Sequence, residues 1–376
     1  MADMNQAPGR GGPPWPPPPT PDAPEPSPWS TEPASDPTLE RGLLIWLAIA
    51  IVALGVSLLA QQAEFGAFAI VAGLFAVAHA VDRDPRWLLL HRFLAGFVPS
   101  GGVAFFIGIM LFLHNSGAPS AINRFGIALS ALCGVACASM LFRRVAVLLV
   151  RVLFPGTRST STARLAARFV AIGLLSCVPL YIAFRVMLAQ GLLADMDFGE
   201  RSLAGSLVGF ILVSLGGVGL FVGRGWRETF DRLGLQRLGL VDLLVLAAGV
   251  AVMIGLNSGF EWVQKTWLPA DYAFDRRVVG LIAGQLSRNE TLLLGVSAGV
   301  GEELSMRGAL QPRLGLARTS LLFAALHVQY SWFGMLTIMV FGLALGLVRK
   351  TRSTTTAIAV HGVYDVLAAF SAQSGT

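Results

Sequence analysis

The apolar run Leu292-Leu293-Leu294-Gly295-Val296-Ser297-Ala298-Gly299-Val300 continues without a break into Gly301-Glu302-Glu303-Leu304-Ser305-Met306-Arg307. Two adjacent carboxylates and a guanidinium thus stand at the end of a segment built for a nonpolar environment. Only 13% of the chain is charged and 54% is hydrophobic, and its mean hydropathy is +0.66. Soluble domains carry about a quarter charged residues, so this composition marks a membrane protein. Its apolar runs are continuous rather than alternating, which predicts spanning helices and disfavours a barrel. Ionisable groups at membrane depth are costly and are functional hypotheses by default.

Outward from that stretch, apolar runs of roughly the ~20 residues a bilayer requires predict an all-α bundle of about eleven spans. They cover 43–60, 65–81, 96–113, 125–142, 168–189, 205–222, 241–259, 290–311, 318–331, 333–348 and 355–371. The run 146–154 is too short to span and is expected along the interface. Pro179 is expected to kink its helix. Short loops holding Arg83, Arg86 and Arg92, then Arg143 to Arg168, then Arg224 to Arg237, then Arg349 to Arg352, alternate with neutral or acidic loops. One of these is Leu193 to Arg201, with Asp195, Asp197 and Glu200. By the positive-inside rule this predicts a cytoplasmic N-terminus and a bacterial inner-membrane protein. The pair Arg276-Arg277, in an expected extracytoplasmic loop, dissents. The net charge of +6 follows from these loops and implies no nucleic-acid partner.

Composition also divides the chain. Residues 1–40 are Pro-rich and core-less, a disordered arm in which Trp15 and Trp29 are candidate contacts. The arm lacks the layout of a signal peptide, so Leu43 to Ala60 is expected to be a retained first span. Residues 41–223 form an N-terminal spanning region of unassigned role, 224–240 an amphipathic basic linker, and 241–376 the region with the polar intrusions. Cys133, Cys137 and Cys177 sit in apolar runs and read as buried thiols. His79 and His114 read as span-end residues and His91 as a loop residue.

In a helix, Glu303 and Arg307 are four apart and share a face, while Glu302 lies about 100° round. One carboxylate is therefore paired and the other directed elsewhere. Carboxylates in different environments can take different roles, one of them as a general base. His327 ends the run Leu321 to Leu326, and His361 and Asp365 are again four apart. Polar groups on neighbouring spans can converge into a pocket where water meets a polar bond.

The ordered set Glu302-Glu303-xxx-Arg307, Phe323-xxx-His327 and His361-xxx-Asp365 resembles the three motifs of the CPBP intramembrane proteases, which include the CAAX prenyl endopeptidases. The resemblance covers roughly residues 235–371. Asp365 stands where many eukaryotic CAAX members have Asn. The resemblance implies a glutamate-dependent endopeptidase acting on a membrane-associated peptide, prenylated in eukaryotic members. Carried over, Glu302 activates a water beside His327, and Glu303 and Arg307 orient and charge-balance the first motif. His361 and Asp365 bind the scissile carbonyl or stabilise the oxyanion, and Phe323 packs the helix of His327. No cofactor is favoured; the alternative is a zinc ion on Glu302, His327 and His361, an open three-ligand set. Arg313 is about ten residues beyond Glu302, roughly 15 Å of helix, which puts the site in the membrane toward the cytoplasmic half. Two other functions fit the same groups: a proton- or ion-coupled transporter, and a non-catalytic scaffold.

Overall fold

The computed structural model describes residues 36–117, 121–193 and 199–374. Most of the Pro-rich arm, with Trp15 and Trp29, lies outside the described residues, as do Asp195 and Asp197. Among the described residues the chain is helical, with one isolated bridge between Leu220 and Arg224. Nine of these helices are long and apolar enough to cross a membrane. The protein is thus an integral, multi-pass helical bundle.

The helices are α1 (Pro37–Ala60), α2 (Ala63–Arg83), α3 (Leu88–Asn115), α4 (Ala121–Ser139), α5 (Arg143–Leu153), α6 (Ser161–Ala189), α7 (Glu200–Val218), α8 (Trp226–Leu233), α9 (Leu240–Trp267), α10 (Pro269–Ile282), α11 (Arg288–Val296), α12 (Gln311–Leu314), α13 (Leu316–Ala325), α14 (Trp332–Thr351) and α15 (Thr354–Ser374). In hydrocarbon the backbone must satisfy its own hydrogen bonds, which is why each apolar run coils. All eleven expected segments fall on helical elements, but two are not regular spans. Segment 290–311 begins as α11 and continues as π-helix through Ser297–Glu302 and Leu304–Leu310 before α12. Segment 318–331 is helical only to Ala325, as a helix of 10 residues, and then turns. Periodicity alone could not foresee this, because a π-turn and a half-length helix depend on what packs beside them.

Of the other expectations, the start of the first helix and the loop positions of His91 and of Arg276-Arg277 are corrected. The first helix begins at Pro37, so 37–40 belongs to it. His91 is buried within α3 rather than sitting in a loop. Arg276 and Arg277 lie in α10. Pro179 lies inside α6, which runs on to Ala189, and Pro99 lies likewise inside α3. The short run after Arg143 is α5, which buries Ala146 and Val150 and exposes Arg143, Arg144 and Arg151. Cys133 and Cys137 are free and buried against Phe106 and Ile109.

Caps and cross-links hold the helix ends. The Asp82 carboxylate accepts from the Ser161 and Thr162 amides at 2.6 and 3.0 Å, tying the end of α2 to the positive N-terminus of α6. Asp242, at the start of α9, accepts from Arg352 Nε at 2.9 Å and Thr356 Oγ1 at 2.9 Å. Gly219 and Gly234 end α7 and α8 in the left-handed region, φ 86° and 73°, where L side chains are strained. Arg83, Arg158, Arg224 and Arg313 line one cavity, so the turns after α2, α5, α7 and α12 meet at one end of the bundle.

The π-helical stretch is clasped by two helices. Against α15, the Gly295 and Gly299 positions meet Gly362 so closely that an added Cβ would lie 2.6 and 2.9 Å from its backbone. Against α7, Ser305 Oγ is 2.9 Å from Ser214 Oγ. Small residues let helices approach closely in lipid, and here they carry His361 up to the Glu302-Glu303 doublet.

Candidate active site

The six polar residues singled out in sequence come together around Phe323. Glu303 is fully buried. Its Oε1 accepts from His361 Nδ1 at 2.9 Å, and its Oε2 is 3.2 Å from Arg307 Nε. Arg307 is equally buried. Its Nη2 donates to the Gly342 carbonyl at 3.4 Å, and its guanidinium carbon is 4.6 Å from the Phe323 ring centroid, a cation–π contact. The ring shields one face of a guanidinium that finds few acceptors here.

His361 Nε2 is 3.4 Å from Asp365 Oδ2. Both nitrogens of this imidazole therefore face carboxylate oxygens. With two ring protons His361 donates to both; with one, Asp365 can donate in return. The result is a line of charge from Arg307 through Glu303 and His361 to Asp365, drawn from two helices and invisible as a line in sequence.

Glu302 and His327 form the other half. Glu302 Oε2 is 4.0 Å from His327 Nε2, and their side chains are 24% and 19% exposed, whereas those of Glu303 and Arg307 are 0% and 1% exposed. His327 Nδ1 is 2.7 Å from the Phe323 carbonyl. A carbonyl only accepts, so Nδ1 carries the hydrogen, and in the neutral ring Nε2 presents its lone pair toward Glu302. Phe323 also packs its ring 4.6 Å from the His327 ring and 6.1 Å from that of His361.

The turn bearing His327 is pinned by residues that sequence reasoning missed. Asp275 on α10 accepts from the Ser331 amide at 2.5 Å, from Ser331 Oγ at 2.7 Å and from Gln264 Nε2 at 2.6 Å. Ser331 Oγ in turn caps α14 by accepting from the Gly334 amide. Asp275 precedes Arg276-Arg277 in a polar stretch and carries no sequence signal that separates it from a surface carboxylate.

Glu302, His327 and His361, the residues of the zinc alternative, are not grouped as one ligand set. His361 has both nitrogens directed at carboxylates, and among the described residues no three His, Cys, Asp or Glu side chains are grouped to hold a metal ion.

A multi-span helical bundle with a buried Glu-Arg-His line ending at a partly open Asp365, beside a partly open Glu-His pair, defines a membrane protein with a built polar site. Residues 286–367 match the protein-family model described as "Type II CAAX prenyl endopeptidase Rce1-like", a segment that contains all six residues. This C-terminal segment is thus similar to the Rce1-like proteins of the CPBP family, whose three motifs it resembles and which at the family level are CAAX-type intramembrane proteases. The chain is also similar to "Uncharacterized protein YpbD" of Bacillus subtilis (strain 168), with 26% identity over 129 residues, 34% of this chain and 68% of the other. No solved structure matches the chain.

Proposed function

We propose that the protein is an intramembrane endopeptidase in which Glu302 and His327 activate the attacking water. The observation that carries this reading is the facing of Glu302 Oε2 and His327 Nε2 across 4.0 Å, too far for a direct hydrogen bond and suited to one bridging water. Both groups accept, so a water between them donates one hydrogen to each and keeps a lone pair for attack on a peptide carbonyl. Glu302 takes the proton as the carbon–oxygen bond forms, and returns it to the leaving amine as the carbon–nitrogen bond breaks.

The charge line serves this step. The substrate carbonyl enters beside Asp365 and takes the His361 Nε2–H from it, so that this donor faces the oxygen on which negative charge develops. Glu303 and Arg307, held inside the bundle, fix His361 in orientation. The substrate class proposed is a membrane-associated peptide, including a C-terminal prenylated one, and no metal is assigned a step. The same reading confines the machinery to residues 241–376, behind the basic linker 224–240. With the Arg-lined end of the bundle on the cytoplasmic side of a bacterial inner membrane, the site opens toward the cytoplasmic half.

The test is hydrolysis of lipidated and unlipidated peptides by the purified protein in nanodiscs. Wild type is expected to cleave. Glu302→Gln and His327→Ala are each expected to lose about 10²- to 10⁴-fold in rate, the usual worth of a positioned acid–base group. Variants that cleave as well as wild type would sink the assignment. Ion flux in proteoliposomes that is lost in Glu302→Gln, with no cleavage, would move the site to a transporter.

A further inference from the structure

One cavity of the bundle is lined by neither Glu302 nor His327. It has a volume of about 530 Å³ between α2, α6, α7, α13 and the π-helical stretch. That is within the ~300–1,000 Å³ of small-molecule sites. Phe68, Phe75, Phe169, Val170, Phe210 and Leu322 supply apolar wall. None of Glu302, Glu303, His327, His361 or Asp365 lines it. An apolar void of this size forfeits dispersion contacts along its walls, and such walls offer water few partners. A hydrocarbon chain suits it better.

One end of this cavity is basic. Arg224, Arg232 and Arg313 line it, and an adjoining cavity of about 360 Å³ shares Arg224 and Arg313 and adds Arg83 and Arg158. Among the described residues, Arg158, Arg224, Arg232 and Arg313 form no ion pair. Arg224 donates to the Val218 carbonyl, and Arg232 to those of Gly308 and Ala309. The carboxylate in the adjoining cavity is Asp82, which is engaged by the Ser161 and Thr162 amides and the Thr162 hydroxyl. Burial and the neighbouring charges of Arg313, Arg224 and Arg349 lower Arg232 to about 10. Burial and Arg313 lower Arg224 in the same direction. Five arginines (Arg83, Arg158, Arg224, Arg232 and Arg313) thus meet two carboxylates, Asp82 and, beside Arg224, Glu228, which leaves an excess of positive charge.

We propose that this is a binding site for an anionic phospholipid of the surrounding bilayer, its acyl chain in the apolar cavity and its phosphate among Arg224, Arg313 and Arg158. Charge complementarity selects this occupant: an uncharged chain leaves the arginines uncompensated, and a free anion leaves the apolar space unfilled. Basic pockets between spanning helices bind anionic lipid headgroups for this reason. The site belongs largely to the N-terminal spans, and it does not depend on the peptidase reading.

The experiment is native mass spectrometry and thermal unfolding of the full chain in detergent, with dioleoyl phosphatidylglycerol, dioleoyl phosphatidylcholine, inorganic phosphate or a farnesylated peptide added. One phosphatidylglycerol per chain is expected to be retained and to raise the unfolding temperature, while phosphatidylcholine and phosphate at equal concentration leave it unmoved. Arg313→Gln removes an exposed arginine outside any ion pair, and is expected to weaken phosphatidylglycerol at least tenfold. A Cβ added at Gly217, which also lines the cavity, meets nothing within 4 Å. Gly217→Leu therefore extends into the space and is expected to weaken the lipid by a similar factor. Equal retention of both lipids, a full shift with phosphate alone, or unaltered affinity in both variants would overturn the proposal. So would mole-for-mole displacement of the lipid by the farnesylated peptide, which would assign the cavity to substrate.

Discussion

The spans before and after α8 handle polar groups in opposite ways. In α1–α7, several buried polar side chains bond to backbone. Trp46 Nε1 donates to the Leu220 carbonyl, Arg168 Nε to that of Met140, and His79 Nε2 to that of Gly217, while Asp82 accepts from the start of α6. Each of these contacts joins one segment to another. In α9–α15, Glu303, Arg307, His361 and Asp365 bond mainly to one another. That half also holds the π-helix and the half-length helix. Irregular backbone at membrane depth survives only where protein buries it or it lines a cavity, and π-turns concentrate at functional sites. The first half uses its polar groups to tie helices together; the second breaks its helices to bring polar groups face to face.

That contrast can be tested by comparing damage to function with damage to stability. The largest expected effect is on rate: Glu302→Gln should remove most hydrolysis while shifting the unfolding free energy by under about 0.5 kcal/mol, because Glu302 is partly exposed and makes no close ion pair. Next is Arg307→Met, which leaves the Glu303 carboxylate buried without its guanidinium and should cost about 3–5 kcal/mol, read by denaturation in detergent. The double variant Glu303→Gln/Arg307→Met should recover part of that loss, since no lone charge remains. If the single and double variants unfold alike, the pair is not coupled as its 3.2 Å contact implies.

Gly299→Val should cost about 1–3 kcal/mol by overpacking against Gly362, and should reduce the rate as well by pushing His361 from Glu303. A rate as high as wild type would mean that the α11–α15 seam does not set the site. Smaller still, Asp82→Ala should lower stability by about 1–2 kcal/mol through loss of the α6 cap, with the hydrolysis rate of the folded fraction unchanged. Loss of rate as deep as in Glu302→Gln would erase the distinction between the halves.

Much of the fold was legible because hydropathy is a local property. Nine of the eleven apolar runs coil into spanning helices as lipid demands, and the paired arginine of Glu303 followed from helical spacing. Asp275 could not be found this way. Its partners Gln264 and Ser331 lie 11 and 56 residues off, and nothing in the surrounding stretch marks it as buried. The place of His91 was misread for the related reason that an arginine-rich neighbourhood, Arg86 to Arg92, looks the same whether it is a loop or the first turns of a helix.

Sequence by itself determined that this is a helical membrane protein and that Glu302, Glu303, Arg307, His327, His361 and Asp365 stand in an order that resembles the CPBP motifs, because apolar length and short-range spacing are written along one chain. Tertiary structure alone decided that the helix holding the doublet is a π-helix, that Glu303 reaches His361 while Glu302 faces His327, and that the Phe323 carbonyl sets which nitrogen of His327 is free. Those outcomes rest on how closely α7, α13 and α15 approach one segment, and close approach depends on small residues meeting across space, as Gly295 and Gly299 meet Gly362.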